Sequence, residues 1–237
     1  MGSNIQLSKR LSAIGEMVTE GNRLVDVGCD HGYLPVYLVM NHRIPGAIAA
    51  DVGKGPLERA REHICRYHMQ NYIETRLCDG LSGISAGEGD TLVIAGMGGP
   101  LMEKILSDNP EVRDSFQELI LQPQSDIPHF RHFLMSNGYR ITEEKMILED
   151  GKFYPMMKAI RNLKCNESWT PLEEMFGKYL LQKKNPVLQQ FLQRELRIRQ
   201  NILTKLQKAE TEETKKRRNE VEEEKQLILA ALNIYES

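Results

Sequence analysis

Apolar positions along this chain fall into short β-branched runs separated by stretches of helical spacing. Leu24 to Val27, Ala47 to Asp51, Ile73 to Cys78, Thr91 to Ala95 and Phe116 to Leu121 have the length and character of buried strands. Between and before them, Leu7, Leu11, Ile14 and Val18 recur at spacings of four, three and four, predicting an amphipathic helix over Ile5 to Val18. Tyr33 to Val39, Gly55 to Met69 and Ile127 to Asn137 read as further helices, the last closed by Gly138. Tyr139 to Leu148 and Lys152 to Ile160 are two more strands, joined by the turn residues Glu149-Asp150-Gly151. Strands alternating with helices and closed by a hairpin predict an α/β fold, a doubly wound sheet of seven strands whose last strand is antiparallel.

The pattern changes near Arg161. A polar linker from Asn162 to Ser168 leads to Thr170-Pro171-Leu172-Glu173, a capping box with proline at the first helical position. After Asn185-Pro186, Leu188, Leu192, Leu196, Ile202, Leu203 and Leu206 form one apolar stripe, and Val221, Ile228, Leu232 and Tyr235 form another. The intervening Gln207 to Glu220 holds a single apolar residue, Ala209. Residues 163–237 are therefore expected to form a C-terminal α-helical hairpin appended to a domain spanning 1–162. Lysines and arginines interleave with glutamates at its tip, which suits either an RNA-gripping arm or an ordinary solvated surface.

Composition narrows the classes little. The net charge of −2 divides into −4 over residues 1–162 and +2 over 163–237, so neither part is a strongly basic module. No run approaches the roughly 20 apolar residues of a membrane span, and no apolar secretory run opens the chain, so a cytoplasmic protein is expected. Cys29, Cys65, Cys78 and Cys165 form no Cys-x-x-Cys pair and have no histidines at metal spacing, which points to reduced thiols and no metal.

Candidate chemistry concentrates where the first strand ends, at Asp26-Val27-Gly28-Cys29-Asp30-His31-Gly32-Tyr33. Strand, glycine turn and helix start make a cradle of backbone N–H groups that a nucleotide-like ligand can approach. The spacing is not that of the dinucleotide fingerprint, and two carboxylates beside the loop suit an anion poorly. They suit a ligand bearing an ammonium and a sulfonium, as S-adenosylmethionine (SAM) does. Asp51, at the end of the second strand, stands where a carboxylate accepts from both vicinal ribose hydroxyls. Asp79-Gly80 follows the third strand, where an acid can accept an adenine amine. Ala95-Gly96-Met97-Gly98-Gly99 follows the fourth and calls for a close backbone approach. Lys9 and Arg10 lie on the polar side of the first helix, as a solvated face or as a substrate contact.

These segments resemble a class I SAM-dependent methyltransferase over residues 4–160. The closer resemblance is to the bacterial tRNA (adenine-N1)-methyltransferases that modify the position-22 adenine. It runs through Ser8-Lys9-Arg10-Leu11, Gly28-Cys29-Asp30-His31-Gly32-Tyr33-Leu34-Pro35, Ala95-Gly96-Met97-Gly98-Gly99 and Leu121-Gln122-Pro123, and includes the C-terminal hairpin. It implies the Rossmann-like fold, SAM as cofactor and tRNA as partner, with neither membrane nor metal; a monomeric state is admitted. It places Asp26, Gly28, Cys29, Asp30, Gly32, Tyr33, Asp51, Val52, Asp79, Gly80, Ala95, Gly96 and Met97 around the cofactor. Lys9, Arg10, Gly98, Gly99, Gln122 and Pro123 fall on the substrate side, with Asp30 and His31 as the catalytic pair. The residues agree with that chemistry. Neither an Asn/Asp-Pro-Pro-aromatic segment nor a Pro-Cys nucleophile follows the fourth strand, and a ring nitrogen with an in-plane lone pair needs neither. Asp30 would stabilise the methylated, cationic base, with His31 as a positioning hydrogen-bond partner, or would only position the methionine moiety or cap the turn. A methyltransferase for a small molecule or protein, a nicotinamide oxidoreductase and a non-catalytic scaffold dimerising through the hairpin are the rival classes. The first shares every cofactor residue, the second is disfavoured by the turn spacing, and the third leaves the aspartates without purpose.

Overall fold

A computed structural model describes residues 5–163, 168–206 and 211–236. The chain divides into two compact units, residues 1–167 and 168–237. In the first, the elements run α1 (Lys9–Met17), β1 (Leu24–Val27), α2 (Tyr33–Met40), β2 (Ala47–Asp51), α3 (Lys54–Arg66), β3 (Ile73–Leu77) and β4 (Thr91–Met97). They continue as α4 (Gly99–Asp108), α5 (Pro110–Ser115), β5 (Glu118–Pro123), α6 (Ile127–Ser136), β6 (Tyr139–Glu149) and β7 (Lys152–Arg161). The sheet has seven strands in the order β3-β2-β1-β4-β5-β7-β6. Strands β1 to β5 pair in parallel, and β7 alone runs antiparallel, between β5 and β6. The order reverses at β1 and β4, so the carboxyl ends of those strands face the crevice in which such sheets hold ligands.

Local chemistry explains the boundaries. Ser8 caps α1, its Oγ accepting from the Leu11 N–H at 3.2 Å, so this helix begins four residues later than its apolar spacing suggests. Helix α3 stops short of Met69 because His68 adopts a left-handed conformation (φ 57°). Glu149 pairs with Lys152, leaving Asp150 (φ 49°) and Gly151 (φ 72°) as a two-residue turn with both residues left-handed, the type I′ geometry that matches strand twist. Helices α4 and α5 are absent from the periodicity reading. Their starts are set by Pro100 behind the Gly98 cap and by Pro110, not by apolar spacing.

In the second unit, α7 (Pro171–Phe176), α8 (Lys178–Gln182), α9 (Pro186–Leu206) and α10 (Glu212–Glu236) follow in order. The Thr170–Glu173 capping box forms in full. The Asn185 carboxamide oxygen caps α9 by accepting from the N–H groups of Val187 and Leu188. Helices α9 and α10 pack together, burying Leu188 and Leu192 of one and Val221, Ile228 and Ala231 of the other. Part of the expected linker (164–167) and of the expected tip (207–210, with Lys208 and Glu210) lies outside the described residues. The rest of the tip is helix. Lys215 pairs there with Glu212, and Arg217 with Glu220 and Glu224, so these two cations are engaged within α10.

At the β6 edge of the sheet, Arg131 of α6 is buried and its Nε donates to Oε1 of the equally buried Glu144 on β6, at 2.8 Å. Removing one partner of such a pair strands a charge in the interior. Arg131→Ala should therefore cost about 3–5 kcal/mol in denaturant unfolding. A loss below about 1 kcal/mol would show that the pair does not tie α6 to the sheet.

Candidate active site

The cradle is built by the backbone. Val27 is the last β1 residue paired with β2, opposite Ala50. Beyond it the N–H groups of Gly28 and Cys29 both donate to the Ala50 carbonyl, at 2.9 and 3.1 Å, and the Gly32 N–H donates to the Cys29 carbonyl at 2.8 Å. Gly28 (φ 75°), Asp30 (φ 49°) and Gly32 (φ 66°) are all left-handed, so the loop doubles back before α2 begins. The two glycines differ in their work. A Cβ on Gly28 would meet only the far end of the Met97 side chain, its Cε 2.2 Å away. A Cβ on Gly32 would press on Ala60 of α3 at 3.3 Å, so Gly32 lets α3 pack against the start of α2.

Two carboxylates stand side by side at the ends of β1 and β2. Asp51 accepts the Gly53 N–H at Oδ1, 2.8 Å, and its Oδ2 faces the Asp30 N–H at 3.4 Å. Asp26 is buried, and its carboxyl is pushed up to about 7. Burial is the main cause and the charge of Asp51 adds to it, with Arg10 opposing both. The same environment acts on the Cys29 thiol. Burial, then the negative charges of Asp26, Asp51 and Asp30, push it far up, so it is held as the thiol and not the nucleophilic thiolate.

At the rim, Asp30 and His31 emerge beside Arg59 of α3. Arg59 Nη2 donates to Asp30 Oδ1 at 3.2 Å, and Arg59 Nε donates to His31 Nε2 at 3.2 Å. Rings continue outward from there. His31 and Tyr33 lie 5.5 Å apart between centroids, Tyr33 meets His63 edge-on at 4.3 Å, and His63 meets Tyr67 at 5.9 Å. His63 Nδ1 also lies 3.1 Å from the His31 carbonyl oxygen, and its imidazole is pushed to lower pKa, chiefly by burial.

The other wall comes from β4 and β5. A bulge between Ala95 and Met97, with Gly96 left-handed (φ 81°), interrupts β4 just before its end. Arg10 Nη1 donates to the buried Gln122 Oε1 at 3.1 Å, and the guanidinium sits 5.6 Å from the centre of the Tyr154 ring. Pro123 is buried opposite Met97. Arg10 therefore faces inward, while Lys9 is exposed and contributes its backbone N–H to Glu149. Gly98 and Gly99 approach protein: Cβ atoms there would lie 3.0 Å from Ser125 Oγ and 2.7 Å from the Ser125 carbonyl. Beyond β3, Asp79 is exposed and Gly80 (φ 56°) abuts Ile105. Val52, Leu77 and Leu101 are 70%, 47% and 48% exposed near these strand ends, apolar surface of the kind a planar ring covers.

Thus the structure groups Asp26, Gly28, Cys29, Asp30, Gly32 and Asp51 in one cradle, with His31 and Tyr33 at its rim. Arg10, Gln122 and Gly96 meet on the facing wall. Arg59, His63 and Tyr67 escaped the sequence reading as site residues. Their helical spacing was visible on α3, but nothing local tied them to the first loop. Among the described residues no group of His, Cys, Asp and Glu could hold a metal ion, and no helix is long and apolar enough to cross a membrane.

This combination of sheet order and cradle is that of a methyltransferase domain, and the methyltransferase domain family matches residues 7–157. The tRNA (adenine(22)-N(1))-methyltransferase of Bacillus subtilis is 33% identical over 230 residues, covering 95% of this chain and 97% of that protein. The crystal structure of the B. subtilis m1A22 tRNA methyltransferase superposes with a TM-score of 0.85 at 32% identity, covering 96% of this chain and 99% of that one. A Streptococcus pneumoniae protein, described as a putative tRNA (m1A22) methyltransferase and crystallised with S-adenosyl-L-methionine, gives 0.86 at 29%, covering 96% and 100%. The chain belongs to the tRNA (adenine(22)-N(1))-methyltransferase family.

Asp26 makes the site's pH signature testable. Its native pKa of about 7 lies above the unfolded value near 3.8. Between those values the unfolded chain binds fewer protons than the native one, so this residue lowers stability as pH rises from about 4 to 7 and adds nothing further above. Asp26→Asn removes the titration. Its melting temperature should gain on the wild type between pH 4 and 8; a constant difference across that range would contradict the raised pKa.

Proposed function

We propose that this protein transfers a methyl group from SAM to ring nitrogen N1 of adenine 22 in tRNA, in the cytoplasm. The observation that carries this reading is the paired acids at the β1 and β2 ends, with Asp26 buried beside Asp51 and its carboxyl pushed up by that burial and by the Asp51 charge. Such a pair disfavours an anionic ligand and rewards a cationic one. The glycine at position 28, open on its ligand side but for the end of Met97, and the exposed apolar Val52, Leu77 and Leu101 fit the rest of SAM. Asp26 would hold the ammonium, Asp51 the ribose hydroxyls through lone pairs its two N–H contacts leave free, and Asp79 the adenine amine. When bound, SAM supplies an electrophilic methyl group on a sulfonium.

The chain's own residues then have a limited task. N1 of adenine carries an in-plane lone pair, so no base is needed to bare it. Cys29 is held as a thiol and offers no covalent alternative. What the site must do is receive an unpaired base and orient it, and orientation supplies several kcal/mol of barrier reduction. Asp30 and His31 stand on one side of the entrance, Arg10 with Gln122 and Tyr154 on the other. Methylation leaves a positive charge on the ring, which the Asp30 carboxylate stabilises.

Two measurements test this. Asp51→Ala should weaken SAM binding by about tenfold or more in calorimetry, because a charged hydrogen bond is worth about 1.5–3 kcal/mol. Unchanged affinity removes Asp51 from the ribose. Asp30→Ala should slow single-turnover methylation of tRNA at saturating SAM more than it weakens SAM binding. A wild-type protein that binds SAM but labels no tRNA would overturn the tRNA assignment.

A further inference from the structure

Arg59 lies in the middle of α3, and one edge of its guanidinium spans two neighbouring residues of the β1–α2 loop. Nη2 holds Asp30 Oδ1 at 3.2 Å and Nε holds His31 Nε2 at 3.2 Å, while His31 Nε2 and Asp30 Oδ1 are themselves 3.6 Å apart. Arginine has no acceptor, so the histidine nitrogen it donates to must carry a lone pair. The imidazole is then neutral, with its proton on Nδ1. Asp30 needs such a partner: its backbone is left-handed (φ 49°) and its side chain is 65% exposed, leaving the carboxylate free to turn.

Stability does not account for this arrangement. Arg59 is 46% exposed, and ion pairs so open to water contribute little to folding. The fork also cannot be supplied by lysine, whose single ammonium lacks two donors on a rigid plane. We infer that Arg59 is a positioning residue for the methyl transfer, aiming the Asp30 carboxylate and fixing His31 as the Nδ1–H tautomer. This rests on the function proposed above, and it assigns His31 a definite role. With Nε2 occupied, His31 acts as a hydrogen-bond donor through Nδ1 and not as a general base, which suits a nucleophile that has no proton to lose. Asp30 keeps Oδ2 free of Arg59 to face the cation that forms on the base.

The test uses the full chain with Arg59→Lys and Arg59→Ala, both good helix formers. Nitrogen-15 NMR of the imidazole reads the tautomer without RNA or cofactor. His31 should be Nδ1–H in the wild type and shift toward the Nε2–H form, which free histidine favours, in both variants. Single-turnover methylation at saturating SAM and tRNA should fall about tenfold in both, with SAM affinity within twofold of the wild type. The lysine variant should also keep tRNA affinity within twofold. A wild-type His31 in the Nε2–H form would overturn the inference. So would full turnover by Arg59→Lys, which would make Arg59 a charge for RNA phosphate only. Failure of the functional reading is distinct: it appears as absent tRNA methylation by the wild type, whatever the tautomer.

Discussion

One carbonyl organises the site. The Ala50 oxygen accepts from both Gly28 and Cys29 and so staples the β1–α2 loop onto the end of β2. Because the loop is pinned there, Asp26 is enclosed next to Asp51, and the Asp30 N–H is brought to the Asp51 carboxylate. The left-handed turns at Gly28, Asp30 and Gly32 are the geometric consequence, since the chain must reverse within five residues to enter α2. With the loop in that path, Asp30 and His31 project at the rim, within reach of Arg59 on α3. In the proposed function, cofactor recognition and base orientation thus both depend on the same backbone contact.

The arrangement is costly for the folded state. A carboxyl raised to about 7 beside a second acid is a group that the empty protein would be more stable without. Other buried charges of the same unit are paired within the protein. Arg131 of α6 pairs with Glu144 of β6, and Glu118 on β5 gathers Lys158, Thr19 and Thr91. Burial alone would push the Glu118 carboxyl up, but these partners bring it below its usual range. Two buried acids in one sheet are treated oppositely. Glu118 is satisfied by the protein, whereas Asp26 keeps its raised pKa beside Asp51.

Much of this was legible in the chain, and what was not has a physical reason. Seven strands in order, the Asp150-Gly151 turn and the Thr170–Glu173 cap are written in local chemistry, which neighbouring residues alone determine. Asp26, Gly28 and Asp51 were recognisable because strand-end acids and glycines recur at readable spacing. Helix α4 was not, because the run Gly96 to Gly99 suggested ligand approach, whereas Gly98 and Gly99 make room for Ser125, and α5 was not, because Pro110 and not apolar spacing sets its start. Arg10 and Lys9 looked equivalent on one polar face, and only the placement of Gln122 and Tyr154 separates them. Arg59 with His31, and His63 with Tyr33, join residues about thirty apart, and no local pattern encodes such meetings.

The central claim is that the site places an unpaired ring nitrogen and needs no base to activate it. The most direct measurement is the identity and position of the methyl group on tRNA. An unmodified tRNA transcript carrying adenine 22 is incubated with the protein and SAM. Nucleoside mass spectrometry and reverse-transcription arrest then read the product. N1-methyladenosine at position 22, absent when that adenine is replaced by guanine, is the result this account predicts. Methylation of an exocyclic amine, or undiminished methylation of the guanine-substituted transcript, would contradict it.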